Sequence, residues 1–183
     1  MKTVQLEKFE NCWYRPGHQA KIILWIMINS IVFKSSIPYP IKFKCYILRL
    51  FGANVGNSVV IKPMISIKYP WLLSVGSNSW IGEYVCIENL GKVIIGQNVC
   101  ISQGAMLLGG NHNYKSSTFD LMIGDIILED GVWVCARAVV CPGIIMKSHS
   151  IITVNSVLTK SSIAFGIYRG NPAKLEKMRN IDA

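Results

Sequence analysis

An aliphatic residue returns every sixth position through the middle of this chain. Val55, Ile61 and Ile67 are followed by Val75, Ile81 and Ile87, then by Ile95, Ile101 and Leu107; after a polar interruption, Leu128, Val134, Val140, Met146, Ile152 and Leu158 resume the beat. A helix needs a period of 3.6 and a half-exposed strand a period of two, so neither explains a period of six. A coil of three short strands does, if one aliphatic side chain per strand points to a common axis. Eighteen residues then complete one turn, and stacked turns lie about 4.8 Å apart so that backbone groups pair with the coil above or below. Most positions four after an anchor are small or β-branched (Val59, Ser79, Val99, Ala105, Ala138, Ser156), as a tight inner corner requires. "VGNSVVI", "VGSNSWI" and "IGQNVCI" begin at intervals of twenty. Two extra residues per coil, around Lys68 to Trp71 and Leu90 to Lys92, are therefore expected to bulge outward. Gly56, Gly76, Gly82 and Gly96, each directly after an anchor, are expected at the corners.

The bulk properties narrow the partners. A chain of 183 residues fits one domain with a modest extension. The longest apolar run, Ile22 to Phe33, is too short to span a bilayer and has no signal-peptide cleavage pattern. Six cysteines show no CxxC pair and no zinc-finger spacing, which suits reduced thiols in the cytoplasm and predicts no metal site. A net charge of +9 favours an anionic partner. No nucleic-acid-binding signature accompanies that charge, so nucleic acid is not expected among the partners.

The interruption, "LLGGNHNYKSSTFDLMIGD", places His112 after Gly109, Gly110 and Asn111. A loop histidine near neutral pKa suits proton transfer, whereas spacing alone favours an inert surface residue. His18 and His149 lie in polar or corner positions with no chemical company. A serine triad lacks its GxSxG elbow, and no cysteine has an evident activating partner.

With "LRLFGANVGNSVVIKP", "ISIKYPWLLSVG", "GGNHNYKSSTFDL", "VVCPG" and "YRGNPAK", the repeats resemble the hexapeptide-repeat acyltransferases, in the branch that contains the colanic acid biosynthesis acetyltransferases. The resemblance covers about residues 20 to 180. It implies an all-β fold, a left-handed parallel β-helix of about five coils, and a handedness that composition could not supply. It implies transfer of an acetyl group from acetyl-coenzyme A to a sugar, a sugar nucleotide or a lipid-linked glycan, in a homotrimer with its active sites between subunits. His112 resembles the catalytic base on a projecting loop, with Asp120 or Asp125 as candidates to orient it. Glu88, Asn89 and Asn111 are candidates to bind the acceptor. For the cofactor, the resemblance points to Ala136, Ala138 and Gly143 along the pantetheine arm, then Ser156, Thr159 and Lys160, with Arg169 and Lys174 facing phosphates. Cys135, Val154 and Asn155 depart from the small residues usual there. Trp133 is a candidate to pack against the loop, the cofactor or a neighbouring subunit.

The expected organisation is an N-terminal helical cap over residues 1–51, the β-helix over 52–162 with a protruding loop at 108–127, and a tail with a short helix over 163–183. The cap covers the open end of the first coil, and its helices offer peripheral contact with a membrane, at the inner face of the cell membrane. The leading reading is an O-acetyltransferase of surface polysaccharide assembly. The alternatives are N-acetylation of an amino sugar, acetylation of serine or a xenobiotic, and a non-catalytic trimeric scaffold.

Overall fold

A computed structural model describes residues 3–182. Its strands wind into three parallel sheets, one per face of a prism. The first face stacks Asn54–Val55 (β1), Leu73–Val75 (β4), Val93–Ile95 (β7), Ile126–Leu128 (β12) and Ile145–Met146 (β15). The second stacks Val60–Ile61 (β2), Trp80–Ile81 (β5), Cys100–Ile101 (β8), Trp133–Val134 (β13), Ile151–Ile152 (β16) and Gly166–Gly170 (β18), which Ala173–Met178 (β19) closes. The third stacks Ser66–Ile67 (β3), Cys86–Glu88 (β6), Met106–Leu108 (β9), Val139–Val140 (β14) and Val157–Leu158 (β17). Five coils are complete and β18 begins another, giving about six turns where five are expected. Cα register pairs anchor with anchor, as in Ile61 with Ile81 and Ile101 with Val134.

Every anchor is buried, from Val55 to Leu158, and the small residues at the inner corners are buried with them. The six-residue period is thus the period of a hydrophobic column, each large side chain contributing about 1.5–3 kcal/mol. The corners themselves fall elsewhere than the glycines suggest. Left-handed backbone occurs three residues after the anchors, at Ser58 (φ 55°), Asn78 (φ 62°), Asn98 (φ 55°), Arg137 (φ 56°) and Asn155 (φ 57°). Asparagine tolerates this region better than most residues. Gly76 meets a different demand: a Cβ there would lie 2.5 Å from the backbone carbonyl carbon of Gly96 in the next coil. Close stacking of coils selects that glycine.

Two helices form over the apolar runs of the N-terminal third. The first helix, Gln19–Ile28 (α1), is capped by the His18 ring accepting from Ala20 N–H, and continues into one π-helical turn, Asn29–Phe33. The second, Ile41–Leu50 (α2), starts after Pro40, whose fixed φ suits a helix entrance. Together they satisfy the unpaired carbonyls of the first coil on all three faces. Arg49 donates to Val55 and Gly56, Lys44 Nζ to Lys62 (3.0 Å), and Trp25 Nε1 to Ile67 (2.8 Å). The side chains of Trp25, Phe33 and Leu48 fill the space beneath.

The C-terminal helix expected after Pro172 does not form. Residues 173–178 make β19, antiparallel to β18 with Arg169 opposite Lys174. The open edge of β18 offers this short segment backbone partners at once, whereas a lone short helix is marginal in water. Before the cap, residues 3–17 run along the prism as an arm. Tyr14 Oη donates to the Leu90 carbonyl, and Trp71, in the 3-10 turn Pro70–Leu72 created by the extra residues, donates to Pro16.

Candidate active site

The polar interruption is a β-hairpin. Gly110–His112 (β10) pairs antiparallel with Leu121–Ile123 (β11), opposing His112 to Leu121. At its base the glycines permit close packing: a Cβ on Gly109 would lie 2.8 Å from the Glu88 carbonyl oxygen, and one on Gly110 would overlap the Leu90 side chain. At its exit, a Cβ on Gly124 would collide with the backbone of Gly143. The hairpin is therefore clamped on the coil at both feet.

At the end of β10 the imidazole of His112 is held on two sides. Its face stacks on Phe119 at 4.4 Å between centroids and 14° between planes. Phe9, from the N-terminal arm, meets it edge-on at 5.5 Å. Nδ1 lies 2.8 Å from the Phe119 carbonyl oxygen. A carbonyl only accepts, so Nδ1 carries the hydrogen and the lone pair of the neutral ring sits on Nε2. The orienting group is thus a backbone carbonyl, not Asp120 or Asp125. Asp120 accepts from Thr118 Oγ1, and this bond with one from Ser116 holds its carboxyl below the usual range. Asp125 accepts from Lys92 N–H. Phe119 itself has φ 56°, a left-handed conformation costly for a bulky residue, and it is the residue whose carbonyl and ring both contact His112.

The acceptor candidates separate. Asn111 stays beside the histidine, its Oδ1 accepting from His112 N–H at 2.8 Å. Glu88 lies opposite Leu108 in the third sheet, but its carboxylate pairs with Lys68 at 2.8 Å and lines a cavity of about 220 Å³ against α1. Asn89 is completely buried, and its amide both accepts from Tyr69 N–H and donates to Tyr69 C=O. An inner corner that carries an extra residue needs those two bonds, so this side chain holds a bulge instead of facing solvent.

The cofactor candidates separate too. Gly143 (φ 77°) has open space where a Cβ would stand, and Ala136 is half-buried. Ala138 is buried, with its carbonyl accepting from Met106 N–H and its own N–H donating to Cys135, so its backbone is occupied by the coil. Ser156 is likewise buried, and its hydroxyl accepts from Gly170 N–H, tying the C-terminal hairpin down. Both side chains fill inner corners of the coil. Thr159, Lys160, Arg169 and Lys174 are exposed at the far end of the prism, with Arg169 3.3 Å from Glu176.

Sequence reading missed Phe9 and the Phe119 carbonyl. An aromatic residue seven positions after His112 was visible, but a backbone acceptor has no letter and the arm carries no repeat to place it. Nothing activates a cysteine nucleophile in this region. Burial first, then the neighbouring Glu88, push the Cys86 thiol up to about 11, and burial does the same for Cys135.

No family model matches the chain. Over 166 residues it is 32% identical to the "Putative colanic acid biosynthesis acetyltransferase WcaF" of Escherichia coli K12, covering 91% of each chain. Among solved structures, the hexapeptide-repeat acetyltransferase VCA0836 of Vibrio cholerae, complexed with acetyl-coenzyme A, superposes with a TM-score of 0.79 at 16% identity, covering 87% of each chain. A maltose O-acetyltransferase of Clostridium difficile superposes with a TM-score of 0.79 at 20% identity, covering 88% of each. The structural likeness fixes the fold as the left-handed parallel β-helix. Identity of 32% that runs through nine-tenths of both sequences carries the relationship past the fold, and the chain belongs to the hexapeptide-repeat acetyltransferases.

Proposed function

We propose that the protein transfers an acetyl group from acetyl-coenzyme A to a sugar hydroxyl during assembly of a surface polysaccharide, with His112 as general base. The observation that carries this reading is the imidazole geometry: Nδ1–H is fixed on the Phe119 carbonyl, which leaves Nε2 free to accept a proton. The thioester is already activated. The protein therefore has to align the acceptor, remove its proton as the new C–O bond forms, and let coenzyme A leave as the thiol. Direct transfer accords with the raised thiols of Cys86 and Cys135, which are poor nucleophiles at neutral pH. The colanic-acid relative and the maltose-acetylating neighbour favour a sugar acceptor, and the acetyl-coenzyme A complex of the Vibrio neighbour favours that donor.

The same reading includes a homotrimer. Val60, Trp80, Cys100, Trp133 and Ile151 form a register column on the outside of the second sheet. Trp80 and Trp133 are 59% and 41% exposed there, an apolar stripe that a neighbouring subunit would cover while supplying the opposite wall of the site. Gly143, Ala136 and the exposed Thr159, Lys160, Arg169 and Lys174 are the residues proposed to meet the cofactor, with Asn111 beside the acceptor. The enzyme would work in the cytoplasm, at the inner face of the membrane where the acceptor is lipid-linked.

The test is release of free coenzyme A from acetyl-coenzyme A with a panel of sugars, sugar nucleotides, amino sugars and lipid-linked glycans, comparing wild type with His112→Ala. Acceptor-dependent release that falls by about 10² or more in the variant supports the base assignment and identifies the acceptor class. Equal activity would falsify it, and activity confined to amino sugars would replace oxygen by nitrogen as the acceptor atom.

A further inference from the structure

We propose that the outward faces of the two cap helices dock the protein on an anionic lipid bilayer, lying in its interfacial layer without crossing it. Helix α1 is apolar all round, which is the pattern of a helix buried on every side. Only one side is buried. Trp25, Asn29 and Phe33 pack on the coil, while Ile23, Leu24, Ile26, Met27 and, in the following turn, Ile31 are each at least half exposed. Helix α2 repeats the arrangement: Lys44, Cys45 and Leu48 face the coil, and Phe43, Tyr46 and Leu50 are 41%, 61% and 65% exposed. Because both helices direct their buried sides at the carbonyls of one coil end, through Trp25, Lys44 and Arg49, their exposed sides point away from that end together.

Charge chooses the occupant. Between Glu10 and Glu83 the sequence holds eight lysines and arginines and no Asp or Glu. Lys34 and Lys42 stand exposed beside the apolar residues, and no ion pair joins either to an acid among the described residues. A second copy of the same face would bring like charges together, whereas phosphate headgroups would neutralise them while the acyl region receives the leucine, isoleucine and methionine side chains. No helix among the described residues is long and apolar enough to cross a membrane, so the contact is interfacial. A further consequence is geometric: the surface lies at the N-terminal end of the prism, opposite the cationic C-terminal end.

Sedimentation of the 183-residue protein with vesicles of phosphatidylcholine, with and without phosphatidylglycerol, tests the proposal. Binding is expected on the anionic vesicles, weakened by salt, and reduced on the order of tenfold or more by Leu24→Asn combined with Met27→Asn. Lys34→Gln with Lys42→Gln is expected to weaken only the anionic-lipid binding. These side chains are exposed, and an unchanged melting temperature and circular dichroism spectrum verify that the variants fold. No binding by the wild type, equal binding to both vesicle types, or retention of binding in the Leu24 and Met27 variant overturns the proposal. A change of particle mass in lipid-free solution in that variant, without loss of vesicle binding, assigns the face to contact between copies and overturns it as well. Acetyl transfer is not read at any step, so this outcome is independent of the proposed reaction.

Discussion

The imidazole of His112 is fixed by a carbonyl and two aromatic rings, none of which carries charge. The orientation of the ring, on which the proposed proton transfer depends, therefore rests on packing, and packing can be loosened. Phe9→Ala removes the edge contact that the N-terminal arm supplies, and should lower kcat by about tenfold with the KM for acetyl-coenzyme A nearly unchanged, since orientation and not donor binding is lost. Steady-state kinetics at saturating acceptor would show it; a rise in the acetyl-coenzyme A KM alone would assign Phe9 to donor binding. The thiols give a second prediction. Alkylation at neutral pH should modify exposed Cys12 without loss of activity, while Cys86 and Cys135 become reactive as pH rises toward about 11. Mass mapping of labelled peptides reads the order, and early labelling of Cys86 with inactivation would reopen a covalent route.

At the scale of elements, the fold depends on coils approaching closely and on a closed first coil. Gly76→Ala places a methyl group against Gly96 backbone, which has no side-chain end to move aside, and should cost about 1–3 kcal/mol. Lys44→Ala removes a buried stem and leaves the Lys62 carbonyl unsatisfied beneath the helix, at a cost of about 2–4 kcal/mol. Denaturant unfolding of each variant measures both losses; an unaffected Lys44→Ala protein would mean that water takes the ammonium's place. Burial lowers the Lys44 pKa, so the lysine binds its proton more readily when unfolded, and its charge becomes less unfavourable to folding as pH rises toward 10.5. The Glu129–Lys147 pair, between rungs of the first face, shifts stability with pH in the same direction. Lys147, then Ser148 N–H, hold the Glu129 carboxyl below its ordinary 4.5, so its contribution is present above that pH and disappears as pH falls through the lowered value. The side chain is 35% exposed, so Glu129→Gln should cost under about 1 kcal/mol near pH 7 and nothing in strong acid.

At the scale of the whole molecule, each end of the prism is covered by its own segment, α1 and α2 at the first coil and β18 with β19 at the last. Removing residues 163–183 deletes β18 and β19 and bares the edge of β16, so the truncated protein should aggregate on warming well below the full chain; light scattering during a melt checks it. The sequence alone determined the coil, its interior and the histidine hairpin's place, because a side chain that recurs every sixth position has one geometry in which all copies are buried. It also determined the helical cap, since apolar helices and an open coil end each need the other. Only the tertiary structure decided which corners adopt left-handed backbone, that Asn89, Ala138 and Ser156 are enclosed, that the tail pairs as a strand, and that Phe9 and the Phe119 carbonyl hold His112. The physical reason is common to all four. Periodicity records which side chains share an environment, whereas backbone hydrogen bonds and contacts between segments about a hundred residues apart, such as Phe9 with His112, depend on where the chain returns, and no local pattern of letters encodes that return.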